Sequence, residues 1–156
     1  MATLTLSFTT DNNPTNGYVV KYRETGTSQY TTVTPNPMSS PVTISGLLGG
    51  TTYEGTIQGD CGNNQFGTLS TFNATVAAQW NMARDPSSAS NACSLTNFSS
   101  TFFTASSTLA VQTQLYADSN LQQIYTIAGY YSNGTNVYQV NALGKIIAIT
   151  SCTIIP

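Results

Sequence analysis

Histidine is absent from the sequence, and charged side chains are scarce. Four of the 156 residues are Lys or Arg and six are Asp or Glu, so 6% of the chain is charged, whereas soluble domains usually carry about 25%. Without histidine the chain lacks the side chain that proteins use most often for proton transfer and metal binding. Four basic residues also cannot form the patches that contact nucleic-acid phosphates or anionic membranes. We therefore expect no nucleic-acid partner and no membrane insertion.

Catalytic motifs are missing as well. The chain has no Gly-x-Ser-x-Gly turn, no phosphate-binding loop and no Cys-x-x-Cys pair, which removes the common sequence signals of hydrolases, nucleotide-binding enzymes and zinc sites. Its six carboxylates include no pair at the spacing of an acid–base motif. Asp11, Asn12 and Asn13 offer oxygens to a calcium ion, but turn chemistry explains these residues more simply. We predict a non-enzymatic protein without a cofactor or bound metal.

Long apolar runs are also lacking. The longest is the four-residue run Ile146-Ile147-Ala148-Ile149, whereas a membrane-spanning helix needs about 20 apolar residues. The first residues, MATLTLSFTT, show no basic region before an apolar stretch, so we expect no secretory signal. The surface must consist largely of uncharged polar side chains, which give weak repulsion between molecules. Such a surface suits a chain that is held in an assembly or displayed outside a cell.

The three cysteines are Cys61, Cys93 and Cys152, and an odd number does not define a disulfide framework. Cys93 and Cys152 bracket the second half of the chain. A bond between them would stabilise the fold by about 4 kcal/mol if it acts by constraining the unfolded chain. The sequence favours a simpler interpretation, in which they are two buried thiols at neighbouring strand ends.

Short alternating apolar segments, separated by Gly- and Pro-containing turns, predict an all-β chain. The first such segment contains Leu4, Leu6 and Phe8, which alternate with Thr and Ser. Five further strands are predicted at residues 18–23, 30–34, 42–44, 53–58 and 68–72. A loop containing Pro35, Pro37 and Pro41 separates two of them, because proline does not fit inside a sheet.

The order of these segments resembles a fibronectin type III domain over about residues 3–73. The run YVVKYRETG is followed by TISGLLGGTTY and then by GDCGNNQFG, which are similar to the family's Tyr-x-Val-x-Tyr-Arg strand, its Ser-Gly-Leu and its Thr-x-Tyr. The resemblance implies an Ig-like β-sandwich with Tyr53 at the tyrosine corner, where its hydroxyl bonds back to the backbone near Leu47. Leu47 would close the bottom of the core.

The segment departs from this family at its start. It begins at what is similar to the family's second strand, and Phe8 stands nearest to the tryptophan usual there. A sandwich that lacks its first strand has an open sheet edge, and an open edge invites pairing with another chain. A partner subunit is therefore expected to supply the missing strand.

Residues 76–100 are predicted to connect two modules. Residues 76–82 fit either a strand or a short helix, and residues 83–94 read as a loop. Trp80 is the only tryptophan, and we interpret it as an anchor in the core between the modules rather than as a ligand contact.

Residues 101–156 predict a small antiparallel β-meander of three or four strands, with Asn133-Gly134 as a hairpin turn. The runs LYADSNL, GYYSNG, YQV and GKI, with Cys93 and Cys152 near the ends, resemble a short module of phage tail and fibre-type proteins and of Bacteroidetes surface proteins. The resemblance implies a structural unit, and a module of this kind does not define a function by itself.

Exposed apolar groups near the end of the chain are candidates for partner or glycan contacts. Tyr130 and Tyr131 are neighbours in a predicted strand, so one of them should face outward. Exposed tyrosines stack on sugars or anchor protein interfaces, although a half-buried structural tyrosine is the interpretation that the sequence favours. Ile154 and Ile155 form an apolar tail that we expect a neighbouring subunit to hold.

The sequence therefore predicts a fibronectin type III-like sandwich at residues 1–75, a connector at 76–100 and a small β module at 101–156. We expect a structural component of a tailed-phage virion, either a capsid decoration or a tail, collar or fibre protein, assembled in the bacterial host cytoplasm. Its partners would be other virion proteins or copies of itself. The alternative is an adhesion module on a phage or bacterial surface that binds host-surface or mucosal glycans.

Overall fold

The computed structural model describes residues 2–9 and 14–154, with the backbone alone at residue 154. Of the described residues, 49% are in strands and 5% in helices, which confirms the predicted all-β class. The chain divides into two compact units. We call Met1–Val76 the first unit and Ala77–Pro156 the second unit.

Residues 2–9 and 14–76 of the first unit form seven strands in two sheets. They are β1 (Ala2–Leu6), β2 (Tyr18–Glu24), β3 (Thr31–Thr32), β4 (Val42–Leu47), β5 (Thr51–Gly62), β6 (Gln65–Phe66) and β7 (Ser70–Val76). Strands β1 and β4 pair in a two-stranded sheet, while β3, β2, β5 and β6 follow one another in the second sheet and β7 also pairs with β5. All of these pairs are antiparallel.

The core of the first unit consists of alternate residues of its strands. In β5, Tyr53, Gly55 and Ile57 are buried while Glu54 and Thr56 lie on the opposite face. The other buried members of this core are Leu6, Tyr18, Val20, Val42, Ile44, Leu47 and Val76. The period of two along each strand is what places one face inside.

Gly55 is needed for close packing in this core. It pairs with Phe72 across the β5–β7 ladder. A Cβ atom at Gly55 would collide with the backbone of Lys21 and would lie 2.5 Å from the Phe72 ring. The missing side chain therefore leaves the space that the Phe72 ring occupies.

The described residues of the second unit, 77–154, form one five-stranded antiparallel sheet. Its elements are β8 (Ala78–Asp85), α1 (Ala89–Ser94), β9 (Ser100–Thr104), β10 (Gly129–Ser132), β11 (Asn136–Val140), β12 (Ile146–Ser151) and a 3-10 turn at Cys152–Ile154. The strand order is β12-β11-β10-β8-β9. The predicted meander corresponds to β10, β11 and β12, and two more strands extend the sheet beyond it.

Residues 76–100 differ from the predicted connector, because they supply two elements of the second unit. Strand β8 lies inside the sheet between β10 and β9, and its neighbouring residues Met82 and Ala83 are both fully buried. Burial on both faces removes the simple alternation that marks a half-exposed strand. Helix α1 begins after Ser88, whose side chain accepts a hydrogen bond from Asn91 N, as helix N-caps do.

The hairpin predicted at Asn133-Gly134 joins β10 to β11. Strand β10 ends at Ser132 and β11 begins at Asn136, so the loop holds three residues rather than two. The Asn133 side chain accepts hydrogen bonds from Thr135 N and Asn136 N, and Gly134 has a φ of +87°. A left-handed conformation of this kind costs glycine little.

Candidate functional site

Tyr53 and Leu47 lie where the sequence predicted, in the core of the first unit. Their side chains are each 4% exposed. The Tyr53 hydroxyl accepts a hydrogen bond of 3.0 Å from Leu48 N, one residue beyond Leu47. This bond ties the end of β4 to β5 across the turn between them.

Cys93 and Cys152 form a disulfide, which corrects the favoured interpretation of two separate thiols. Cys93 belongs to α1 and Cys152 follows β12, and their Cα atoms are 5.5 Å apart, which is a usual separation for a disulfide. The sequence did not reveal α1, which packs against β8, β10 and β11 and brings Cys93 to Cys152. Cys61 is an exposed free thiol.

Trp80 packs against the core of the second unit. Its ring is partly buried beside that core, and its Nε1 donates a hydrogen bond of 2.8 Å to Thr104 Oγ1. Thr104 is fully buried, and its hydroxyl donates in turn to Ser106 O at 2.7 Å. The expected role of Trp80 as an anchor between the modules stays a prediction.

Tyr131 is fully buried, so it cannot be the partner or glycan contact that the sequence proposed. Its hydroxyl donates a hydrogen bond of 2.7 Å to Ile127 O, and its ring meets those of Phe102 and Tyr125 edge-on. Burial raises the pKa of the Tyr131 hydroxyl well above its usual value. Tyr130 points to the opposite face and is half-buried.

Two predicted contact residues, Ile154 and Ile155, have side chains outside the part of the chain that the structure describes. For Ile154 the structure gives the backbone of the 3-10 turn but not the side chain, and Ile155 follows the described residues. The loop residues Asp11, Asn12 and Asn13 lie outside them as well. The expectations for the apolar tail and for this loop stay predictions.

The outer backbone edge of β1 has no paired strand among the residues that the structure describes. Among the described residues, β1 pairs with β4 alone. The core-facing Leu4 is only half-buried, whereas its neighbour Ile44 in β4 is 4% exposed. The core of the first unit is therefore less well covered beside β1. We call this feature the β1 edge.

A shallow depression lies on the outward face of the larger sheet in the first unit. It has a volume of about 390 Å³ and is lined by Tyr30, by β5 residues 54–56 and by β7 residues 71–73. We call it the Tyr30 depression. The pairs Glu54–Asn73 and Thr56–Thr71 lie side by side across the β5–β7 ladder.

One wall of the Tyr30 depression is held by a chain of contacts. Arg23 donates from Nε to Glu54 Oε1 at 2.7 Å and forms an ion pair with it through Nη2 at 2.6 Å. The Arg23 guanidinium lies over the Tyr30 ring, with its Cζ 4.4 Å from the ring centroid. Tyr30 itself is 44% exposed. The alternation of the sequence predicted the strand face on which Arg23 lies. It did not predict that the turn after this strand brings Tyr30 against the guanidinium.

Two carboxylates of the second unit are used in turns. Asp118 accepts hydrogen bonds from the backbone N of Gln123, Gln122 and Asn120, and Asp85 accepts from the backbone N of Ser87 and Ser88. These backbone N–H groups, Gln123 and Ser87 foremost, lower the pKa of Asp118 and Asp85 below the ordinary value of 3.8. Both acids therefore act as structural anions that hold loops.

Neither a metal site nor a membrane span is evident in the part of the chain that the structure describes. No three His, Cys, Asp or Glu side chains of residues 2–9 and 14–154 are grouped so that they could hold a metal ion. No helix of the same residues is long and apolar enough to cross a membrane.

The first unit is an Ig-like β-sandwich of two antiparallel sheets with a tyrosine hydroxyl bonded at one corner. More specifically, the family model for the fibronectin type III domain matches residues 2–73, which supports a fibronectin type III domain in the first unit. Domains of this family generally serve as binding modules, which indicates protein interaction or adhesion. No curated protein and no solved structure matches the chain. The resemblance of the second unit to phage and Bacteroidetes modules stays a prediction.

Proposed function

We propose that the chain is a subunit of a protein assembly, and most specifically a structural component of a tailed-phage virion. The observation that carries the assembly role is the β1 edge. Strand addition at such an edge is a common mode of recognition, in which backbone hydrogen bonds supply affinity and alternate side chains supply specificity. A strand added beside β1 would also cover Leu4, which is half-buried in the first unit alone.

The β1 edge lacks the usual protection against pairing. Natural edge strands are commonly blocked by charged side chains or proline. Strand β1 reads ATLTL and contains neither. Its outward-facing Thr3 and Thr5 are exposed and uncharged. A second copy of the chain meets no charge repulsion at these positions.

The virion assignment is supported by different observations. Residues 93–152 resemble modules of phage tail and fibre-type proteins, and the surface carries few charges. The Cys93–Cys152 bond suits an oxidising environment, which a particle meets after its host cell lyses. This assignment is tested by mass spectrometry of phage particles, purified from lysates of cells infected with the phage that carries the gene. Absence of the chain from otherwise complete particles would contradict it.

The assembly role is tested by the mass of the purified chain in solution. We expect light scattering across a range of concentrations to show a defined oligomer. The variant with Thr3→Lys and Thr5→Lys should be monomeric, because self-pairing would bring lysines of two copies together. A matched control carries Thr43→Lys and Ser45→Lys.

The control differs only in the strand that carries the charges. Thr43 and Ser45 are exposed residues of β4 and pair with Thr5 and Thr3. The control should therefore keep the oligomer of the unchanged chain. A concentration-independent monomer, or an oligomer that both variants disrupt equally, would count against pairing at the β1 edge.

A second candidate function is glycan binding as an adhesion module. Its predicted contact Tyr131 is buried, so this function no longer rests on the hairpin tyrosines. The observation that favours it is the exposed ring of Tyr30 beside the polar side chains of the Tyr30 depression.

A further inference from the structure

We infer that the Tyr30 depression binds a neutral saccharide, with one face of a pyranose ring stacked on the exposed Tyr30 ring. The inference rests on the second candidate function and gives it a site and a ligand class. It is independent of assembly at the β1 edge, which lies on the other sheet of the first unit.

The aromatic part of the site is ordered before a ligand arrives. Glu54 fixes Arg23 through two contacts to the same oxygen, and Arg23 lies over the Tyr30 ring at 4.4 Å. A cation over a tyrosine ring is attracted by the electrons of the ring. A side chain that is already held in position loses less conformational entropy on binding. The face of the Tyr30 ring that Arg23 does not cover therefore offers a preformed surface to the C–H groups of a sugar.

The polar part of the site faces the same space. Thr56 and Thr71 each carry a hydroxyl that donates and accepts, and Asn73 carries an amide that does both. They project from the outward faces of β5 and β7, where cross-strand neighbours lie about 5 Å apart. Hydroxyls of a sugar present alternating donors and acceptors over similar distances. The side chains beside Tyr30 thus match a polyhydroxylated ligand.

The charge of the depression favours a neutral ligand. Glu54 is the only charged residue of its lining, and the ion pair with Arg23 compensates that carboxylate. An anionic sugar would meet the Glu54 carboxylate, and a cationic ligand would compete with Arg23. The volume of about 390 Å³ lies near the lower end of the ~300–1,000 Å³ usual for small-molecule sites. A monosaccharide or disaccharide fits this size.

The site is tested by titrating the isotopically labelled full chain with neutral sugars and recording amide chemical shifts. The probes are methyl α-D-mannopyranoside, N-acetyl-D-glucosamine and lactose, and N-acetylneuraminic acid represents the anionic class. At least one neutral probe should shift the amides of Thr56, Thr71 and Asn73 and saturate with a dissociation constant on the order of millimolar, the affinity range of small contacts. The indole signal of Trp80 in the second unit should not move.

Two variants test the contacts separately. Tyr30→Ala removes the stacking surface and should weaken binding at least about tenfold, a loss of roughly 1.4 kcal/mol. Thr71→Val removes a hydroxyl from an exposed strand position while keeping the side-chain shape. It therefore tests a polar contact of the site even if Tyr30→Ala does not fold. The matched control is Phe66→Ala, which removes another exposed aromatic ring of the first unit and should leave binding unchanged.

Three results would overturn the inference. They are an absence of shifts with all neutral probes, equal binding by the chain and its Tyr30→Ala variant, and preferential binding of N-acetylneuraminic acid. Failure of the assembly proposal is recognised independently, because the variant with Thr3→Lys and Thr5→Lys should still bind the sugar. Conversely, Tyr30→Ala should leave the mass measured by light scattering unchanged.

Discussion

The two units of the chain cover their apolar residues in different ways. In the first unit, two sheets bury the core without a disulfide, since its cysteine, Cys61, is exposed and unbonded. In the second unit, a single sheet has α1 on one face and the long segment between β9 and β10 packed against the other. Irregular segments hold their conformation less cooperatively than strands. The second unit accordingly uses a covalent bond and buried polar contacts where the first uses a second sheet.

The interior of the second unit shows the same contrast at the level of side chains. Its core contains three tyrosines, Tyr125, Tyr131 and Tyr138, together with the buried hydroxyls of Thr104 and Ser132. Buried hydroxyls are costly without a partner. Those of Tyr131 and Thr104 bond to backbone carbonyls of the long segment, at Ile127 and Ser106. These bonds fix loops that have few ladder hydrogen bonds of their own.

Removing the Cys93–Cys152 bond should have the largest effect on this comparison. The bond spans a sequence separation of 59 residues, and its loss should cost the second unit about 4 kcal/mol in free energy of unfolding through unfolded-chain entropy. The variant replaces both cysteines by serine. Urea unfolding followed by Trp80 fluorescence reports on the second unit, and hydrogen exchange reports on the first, which should be unaffected.

The control for the disulfide variant is Cys61→Ser, which should leave both units unchanged because Cys61 is exposed and unbonded. If the double variant destabilised the first unit as much as the second, the two units would unfold as one cooperative body and the contrast between them would fail.

Removing one tyrosine hydroxyl from each unit should give a smaller and matched effect. Tyr53→Phe loses the bond from Leu48 N, and Tyr131→Phe loses the bond to Ile127 O. Each should lower the free energy of unfolding of its own unit by about 1 kcal/mol. Amide hydrogen exchange measured during urea unfolding shows which of the two units has lost stability. Tyr30→Phe, at an exposed ring, is the control and should stay within about 0.5 kcal/mol.

Lowering the pH should produce the smallest effect, and it should act on the second unit. Asp85 and Asp118 have pKa values below the ordinary 3.8 because backbone N–H groups bond to them. A carboxyl of this kind stabilises the fold above its unfolded pKa, and the contribution is lost as the pH falls through the lower folded pKa. The second unit should therefore lose stability below about pH 4, where unfolded carboxyls begin to bind protons.

The pH effect is checked by thermal unfolding followed through Trp80 between neutral and acidic pH. Asp118→Asn should be less stable than the unchanged chain at neutral pH, and the difference should shrink in acid. An equal difference at every pH would show that the Asp118 charge does not matter for the turn.

The first unit was more predictable from the sequence than the second. Strands β1, β2, β4, β5 and β7 were found because each exposes one face, so that apolar and polar residues alternate. The predicted strand at residues 30–34 is shortened to Thr31–Thr32, close to the prolines that follow. Strand β8 was left open as strand or helix, because residues buried in succession at 76–78 and at Met82-Ala83 interrupt the alternation of apolar and polar residues.

The candidate sites were less predictable than the strands. Alternation showed that Tyr130 and Tyr131 face opposite ways, but it did not say which face is covered. The separation of Cys93 and Cys152 along the sequence does not show whether their sulfur atoms meet in the fold. Their bond depends on α1, a helix that the sequence did not reveal. The Tyr30 depression joins residues from three separate segments, and only the folded chain brings Tyr30 over Arg23.

The disulfide also limits how far the chain can be stretched. Tension applied at the two chain ends passes into β8 and then reaches Cys93, where the bond carries the force directly to Cys152. The 59-residue separation between them corresponds to about 200 Å of extended chain, at ~3.3–3.6 Å per residue, which cannot be drawn out while the bond is intact. Strands β9 to β12 lie inside this covalent loop, whereas β8 lies outside it. Under load, the second unit would extend only over β8 and the part of α1 that precedes Cys93.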